Sequence, residues 1–197
     1  IQLGWFSWPC TILWIVGIIN ALNIIDGLDG LASGVVFIAC LSLMGINMIL
    51  GDMFLVLVFM ILSGALLGFL RYNFNPAKIF LGDSGSLFLG YILAVTSLLH
   101  DKKSPTVVMV LIPILVLGFP IMDTFRSIVR RIKKGTSPFK GDKLHTHHLL
   151  LDIGFSHRLS VIIIYGLCLL LGLLAFAISF QQNNRVALLL FIVGAVS

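Results

Sequence analysis

Six apolar runs divide this chain, at about 5–25, 31–50, 53–70, 85–99, 106–122 and 159–180, and a partial seventh starts at 186. A helix that crosses a bilayer needs about 20 mostly apolar residues. The longer runs meet that length and the shorter ones approach it, so the expected fold is an all-α polytopic integral membrane protein. It would have about six transmembrane helices plus a partial seventh. Composition agrees: 59% of the 197 residues are hydrophobic and 11% are charged, against roughly 25% charged in a soluble domain. All eight acidic residues are Asp. Glu is the better helix former on wet surfaces, so its absence places the acids at loops, helix ends and sites. Cys10, Cys40 and Cys168 fall inside apolar runs without metal or redox spacing and read as packing residues.

The connections alternate in character. Gly51-Asp52, the stretch from His100 to Pro105 and that from Gln181 to Arg185 are short; 71–84 is polar and Gly-rich at its end; 123–158 is long and basic. Segments 71–84 and 123–158 carry ten Lys and Arg, namely Arg71, Lys78, Arg126, Arg130, Arg131, Lys133, Lys134, Lys140, Lys143 and Arg158. The opposite side carries Lys102, Lys103 and Arg185. Positive residues collect on the cytoplasmic side, which orients the chain. This also accounts for the net charge of +5 through lipid phosphates, so no nucleic-acid partner is expected. Three polar segments are then expected on one cytoplasmic face, and the partner they face is a lipid bilayer.

The first polar segment interrupts the oil: Asn20, Asn23, Asp26 and Asp29 recur every third position. An ionised carboxylate near a bilayer centre costs at least about 3 kcal/mol, so these groups require water, a cation or a polar ligand. Helical spacing of three sets neighbouring members on adjacent faces. Gly27 and Gly30 weaken a helix there and permit close approach of a ligand to the backbone. Amide and carboxylate oxygens suit Mg²⁺. The competing reading is helix-end capping, but one cap needs one such residue, not four.

The second is Asn73-Phe-Asn75-Pro76-Ala-Lys78-Ile-Phe80-Leu-Gly82-Asp83-Ser84-Gly85-Ser86. Small residues leading into an apolar run leave backbone N–H groups free at a helix start, which favours an anion. Asp83 there is either a cap or, with a metal between it and a phosphate, a ligand. Phe80 either stacks on a base or packs. The third runs from Pro120 through Asp123 and Arg126 to Arg130-Arg131-Ile-Lys133-Lys134. Such a basic run orients the chain and meets anionic lipid; the sharper reading gives some of it to a diphosphate. The fourth, Asp142-Lys143-Leu-His145-Thr-His147-His148, sets three His in four residues. Zinc would want further Cys or His ligands, and His157 is the only other His on this side, so phosphate hydrogen bonding is preferred.

Asn-Ala-Leu-Asn-Ile-Ile-Asp-Gly-Leu-Asp-Gly-Leu-Ala, Phe-Leu-Gly-Asp-Ser-Gly-Ser and His-Thr-His-His together resemble the polyprenyl-phosphate N-acetylhexosamine-1-phosphate transferases, over essentially the whole chain. That superfamily includes the muramoyl-pentapeptide (MraY) type and the WecA/TagO type. Arg130-Arg131-Ile-Lys-Lys-Gly-Thr-Ser-Pro-Phe followed by His-x-His-His resembles the WecA/TagO branch; Thr146 interrupts the three consecutive His of the other. The resemblance implies UDP-N-acetylglucosamine as donor, undecaprenyl phosphate as acceptor and a place in the bacterial cytoplasmic membrane. By position it makes Asn23 and Asp83 ligands of Mg²⁺, with Mn²⁺ as the substitute ion. Asp26, Asp29 and Asp83 become catalytic acids, with Asp29, Asn73 and Phe80 at the nucleotide and His145, His147, His148, Arg130 and Arg131 at the phosphates.

One departure stands out. The family carries an Asp-Asp pair on an earlier cytoplasmic segment, and no Asp-Asp occurs here. The start at Ile1-Gln2, and an end inside an apolar run, lead us to expect residues 1–197 to be the C-terminal part of such a transferase, inactive alone. A homodimer stays open.

Direct displacement of UMP by the lipid phosphate, with the acids placing metal and acceptor, is the preferred chemistry. The resemblance also allows a covalent Asp intermediate or an Asp base. A transporter would explain Asp26 and Asp29 but not Gly-Asp-Ser-Gly-Ser and the His cluster on the same face. The Asp-Gly-x-x-Ala-Arg pattern of CDP-alcohol phosphotransferases is absent, since Gly30 and Leu31 follow Asp29.

Overall fold

The computed structural model describes residues 4–99, 106–133, 135 and 145–180. A 3₁₀ turn at Gly4–Phe6 leads into α1 (Ser7–Ile25), followed by α2 (Leu31–Leu50), α3 (Met53–Asn73), α4 (Gly82–Thr96), α5 (Thr106–Val116), α6 (Gly118–Lys133), α7 (Thr146–Asp152) and α8 (His157–Phe180). Among the described residues the regular structure is entirely helical. Four helices are long and apolar enough to cross a membrane: Gly4–Ile25, Leu31–Leu50, Met53–Asn73 and His157–Phe180. The partial run from 186 lies outside the described residues, as do Lys134, Lys140, Asp142 and Lys143.

The run at 106–122 does not form one helix, as the apolar pattern implied. It breaks at Leu117. Pro120 has no N–H for the Val116 carbonyl, and its ring crowds that carbonyl, so the helix yields one turn before the proline. Hydrogen bonds from Leu117 N to Pro113 O (2.9 Å) and Ile121 N to Leu117 O (3.1 Å) carry the chain across the break.

Helix α2 is the most buried of the four long helices and packs along α3 and α8, while α1 lies against α4 and α6. Ile25, Leu31, Val36, Leu43, Phe59, Leu93 and Ile164 belong to one continuous core. Small residues let the backbones approach, as membrane helix contacts require. A β-carbon on Gly90 of α4 would fall 2.8 Å from Ile19 Cα of α1, and one on Gly172 of α8 would fall 2.2 Å from Ser42 Oγ of α2. Phe54, Leu57 and Ile61 of α3, with Leu169, Leu170 and Leu173 of α8, remain exposed. Apolar side chains on the outside of long apolar helices suit lipid.

The α2–α3 hairpin closes on two residues. Gly51, at φ +79°, ends α2, and Asp52 Oδ1 accepts from Leu55 N at 3.1 Å to start α3. At the other end of α2, Gly30 at φ +78° supplies the left-handed residue that turns the chain in from α1. That turn is where the acidic strip sits.

Candidate active site

The strip is not one helix. α1 ends at Ile25, so Asn20 and Asn23 are helical, Asp26 occupies the C-cap and Asp29 lies in the turn before α2. Gly27, Asp29 and Gly30 are weak helix formers, and α1 stops where they begin. Asn20 stays on the outside, donating to its own Val16 carbonyl at 2.7 Å, apart from the other three.

Asn23 Nδ2 donates to Asp83 Oδ1 at 3.1 Å and to Ser86 Oγ at 2.9 Å. Asp83 is in the first turn of α4, so this contact joins the first and second motifs. Asp26 accepts a hydrogen bond from the Gly82 amide at the start of the same helix. Its carboxyl is nevertheless pushed up to about 6, first by burial and then by the charge of Asp83, which outweigh that amide.

Asp29 is held from three directions. Its Oδ2 accepts from Asn75 Nδ2 and from Ala77 N, each at 3.1 Å, and its own backbone N–H donates to His157 Nε2 at 3.1 Å. Arg158 Nε donates to the Asn75 carbonyl at 3.0 Å, closing the clamp between the start of α8 and the segment after α3. Asn73 is buried at the end of α3. Its Oδ1 accepts from Ser33 Oγ at 2.6 Å and its Nδ2 donates to Ile79 O at 2.9 Å, so its amide shapes the 74–81 segment. Phe80, on that segment, is 73% exposed and presents an open ring face.

His145, at the N-cap of α7, packs against α6, and His147, in the first turn of α7, packs against Gly27. Asp123, just past the apolar run, faces inward on α6 with Phe119 and Ser127, while Met122 and Phe125 face outward. Asp123 Oδ2 lies 2.9 Å from His145 Nδ1, and Ser127 Oγ lies 3.3 Å from the same nitrogen. Asp123 Oδ1 accepts from Thr146 N at 2.8 Å and from the Thr146 hydroxyl. The hydrogen bonds from His145 and Thr146 thus satisfy both oxygens of this buried carboxylate. His145 and His147 stack with ring centroids 5.9 Å apart, and His148 lies 4.3 Å from His147. Burial, aided by His148, pulls the His147 imidazole down to about 4, so it is neutral at physiological pH. Its Nδ1 is buried without a hydrogen-bond partner among the described residues. Arg130 Nη2 donates to Ser127 Oγ at 3.2 Å, which sets the basic end of α6 beside the His145 cluster.

The profile of glycosyl transferase family 4 matches residues 1–101. The chain belongs to that family. A probable undecaprenyl-phosphate N-acetylglucosaminyl 1-phosphate transferase of Bacillus subtilis is 50% identical over 165 residues, 83% of this chain and 46% of the relative. A decaprenyl-phosphate N-acetylglucosaminephosphotransferase of Mycolicibacterium smegmatis is 40% identical over 185 residues, 84% of this chain and 45% of the relative. A phospho-N-acetylmuramoyl-pentapeptide-transferase of a Synechococcus strain is 39% identical over 181 residues, 88% of this chain and 50% of the relative. The chain spans about half the length of these relatives.

In this family 4 chain the donor set around Asn23 and Asp83 is hard oxygen. Among the described residues no three His, Cys, Asp or Glu side chains converge on one point as a closed metal site. Mg²⁺ does not need one, since it binds through one or two carboxylates and keeps its remaining positions for water and substrate phosphates. Asp83 raising Asp26 marks a spot where two acids crowd, which is where a cation fits.

The geometry joins Asn23 and Asp26 with Asp83 and sets the His147 ring on Gly27 in the same turn, while Asp29 is engaged with Asn75, Ala77 and His157 instead. It also adds residues that the motifs did not single out as functional: Asn75, Ser86, Asp123, Ser127, His157 and Arg158. Asn75, Ser86, Asp123 and Ser127 lie in recognised motifs and His157 and Arg158 lie beyond them, and none has a periodicity or spacing that reveals its partner.

Proposed function

We propose that this chain carries most of the active site of a polyprenyl-phosphate sugar-1-phosphate transferase. It moves N-acetylglucosamine-1-phosphate from the UDP-sugar to undecaprenyl phosphate and releases UMP, at the cytoplasmic face of the bacterial inner membrane. α4 and the broken α5–α6 pair act as further spans beside the four long helices. The observation that carries the reading is the Asn23–Asp83 contact, which unites two motifs 60 residues apart. The names of the relatives support the same reaction class.

In the reaction an oxygen of the lipid phosphate attacks the phosphorus that bears the sugar. The bond from that phosphorus to the bridging oxygen breaks, and UMP leaves. The lipid phosphate is already largely ionised near neutral pH, so the chain's task is placement and charge compensation. Asn23 and Asp83 would hold Mg²⁺, which would supply positive charge to offset that of the donor diphosphate. Asp26, beside them, positions the acceptor side. Asp29, fastened to the 75–77 segment, fixes that segment at the nucleoside, and the open ring of Phe80 offers a stacking surface to uracil. His145, His147, His148, Arg130 and Arg131 surround the diphosphate.

The test uses the full-length protein. Asp83→Asn or Asn23→Ala is expected to reduce Mg²⁺-dependent exchange of labelled UMP nearly to background; exchange at the wild-type rate would remove the metal assignment. The muramoyl-pentapeptide reading is kept by the Synechococcus relative. Offering UDP-N-acetylglucosamine and UDP-N-acetylmuramoyl-pentapeptide in parallel, and following the lipid-linked product, decides between them.

A further inference from the structure

Asp123 is only 3% exposed, and both of its oxygens are used on two successive residues, His145 and Thr146. Those residues begin α7, a helix of seven residues. So short a helix has little stability of its own, and its first amides have no partners within it. Its orientation comes from what grips it. On one side the grip is the Asp123 carboxylate. On the other, the His147 ring rests on Gly27, inside the Asp26–Asp29 turn. A carboxylate that only neutralised a buried charge would not need to reach a backbone N–H, a hydroxyl and a ring nitrogen of consecutive residues.

We infer that Asp123 is a positioning residue for the transfer reaction, acting through His145 and Thr146 to seat the histidine segment over the acidic turn. This rests on the transferase reading above. The carboxylate keeps a proton on His145 Nδ1, and so leaves Nε2 as the nitrogen that faces other partners. It also ties α6 to α7, so that the basic end of α6 and the histidines move as one unit. Asp123 itself does not need to touch substrate.

The experiment uses full-length protein in lipid nanodiscs. In the wild type, ¹⁵N NMR of the imidazoles is expected to show His145 Nδ1 protonated; a bare Nδ1 overturns the inference, and this measurement needs no variant to fold. Asp123→Asn is expected to lower kcat/KM for the UDP-sugar at least about tenfold. Its KM for the polyprenyl phosphate should stay within about twofold of wild type, because Asp123 acts on the histidine segment through His145 and Thr146 and does not touch the acceptor. Adding Asp123→Asn to His145→Ala should cost clearly less than Asp123→Asn costs alone, since part of its effect passes through His145 and only the Thr146 contacts remain to be lost. Losses that multiply would instead assign Asp123 a general structural role and overturn the inference. A wild type that transfers no sugar phosphate at all would overturn the reaction itself, while the NMR result would still judge the Asp123–His145 contact.

Discussion

The imidazole of His147 rests on Gly27 so closely that a β-carbon at that glycine would fall 2.6 Å from Nε2 and 3.1 Å from Cε1. The turn between α1 and α2 and the start of α7 are thus packed ring to backbone. Gly27 is a glycine for space rather than for an unusual φ, since its backbone is not left-handed. Gly27→Ala is expected to cost about 1–3 kcal/mol of stability through overpacking. Pairing it with His147→Ala should recover much of that stability but not the activity. Denaturant unfolding in detergent, set beside the transfer assay, checks both; an unchanged midpoint in Gly27→Ala would refute the contact.

His147 also makes a prediction about pH. Burial, with His148 beside it, lowers its imidazole from 6.5 to about 4. Between those values the unfolded chain takes up a proton that the folded protein does not, so this contribution to stability falls as pH drops from about 6.5 to 4. Asp26, raised from 3.8 to about 6, acts in the opposite sense, and its contribution is lost as pH rises through that window. Comparing wild type with His147→Gln isolates the histidine. The melting temperature of the wild type should fall relative to the variant on going from pH 6.5 to 4, and parallel curves would show that His147 is not held neutral.

Asn73 holds the 74–81 segment from inside. Asn73→Ala would leave the Ser33 hydroxyl and the Ile79 carbonyl without these partners. Each hydrogen bond lost is worth about 0.5–1.5 kcal/mol net, and Ser33 keeps its bond to the Gly30 carbonyl at 3.2 Å. The variant should lose stability and raise KM for the UDP-sugar together, because Phe80 and the Ala77 amide that grips Asp29 ride on the same segment. A higher KM with an unchanged melting temperature would point to direct contact with the nucleotide instead.

The seam between α2 and α8 supplies another test. The Tyr165 hydroxyl donates to the Gly30 carbonyl, and its oxygen would lie 1.8 Å from a β-carbon on Gly34. Tyr165→Phe should cost about 1 kcal/mol, the net value of one hydrogen bond. Gly34→Ala should cost more, because the ring must leave its place. If thermal unfolding ranks the two variants in the reverse order, the close packing at Gly34 is wrong.

Much of this protein was legible in order along the chain. Hydropathy alone gave a helical membrane protein, because the cost of placing polar groups in hydrocarbon is paid locally, residue by residue. The runs near 5–25, 31–50, 53–70 and 159–180 became long helices within a few residues of their expected ends. Asn23, Asp26 and Asp29 stood out for the same reason, as polar residues that lipid does not tolerate, and Asp83 for its place in Gly-Asp-Ser-Gly-Ser at the start of an apolar run. The broken helix at Leu117 was readable in principle from Pro120, but the apolar run across it concealed the break.

What sequence could not supply was who meets whom. Asp29 meets His157 across 128 residues, Asn23 meets Asp83 across 60 and Asp123 meets His145 across 22. Hydrophobic periodicity reports which face of a helix is apolar, not which neighbour the polar end will face. That choice is made where small residues such as Gly34, Gly90 and Gly172 let particular helices come close, and it exists only once the helices have packed. The sequence by itself determined the membrane class and the polar inventory; tertiary packing alone decided which members of that inventory meet, Asn23 with Asp83 and Asp123 with His145 among them.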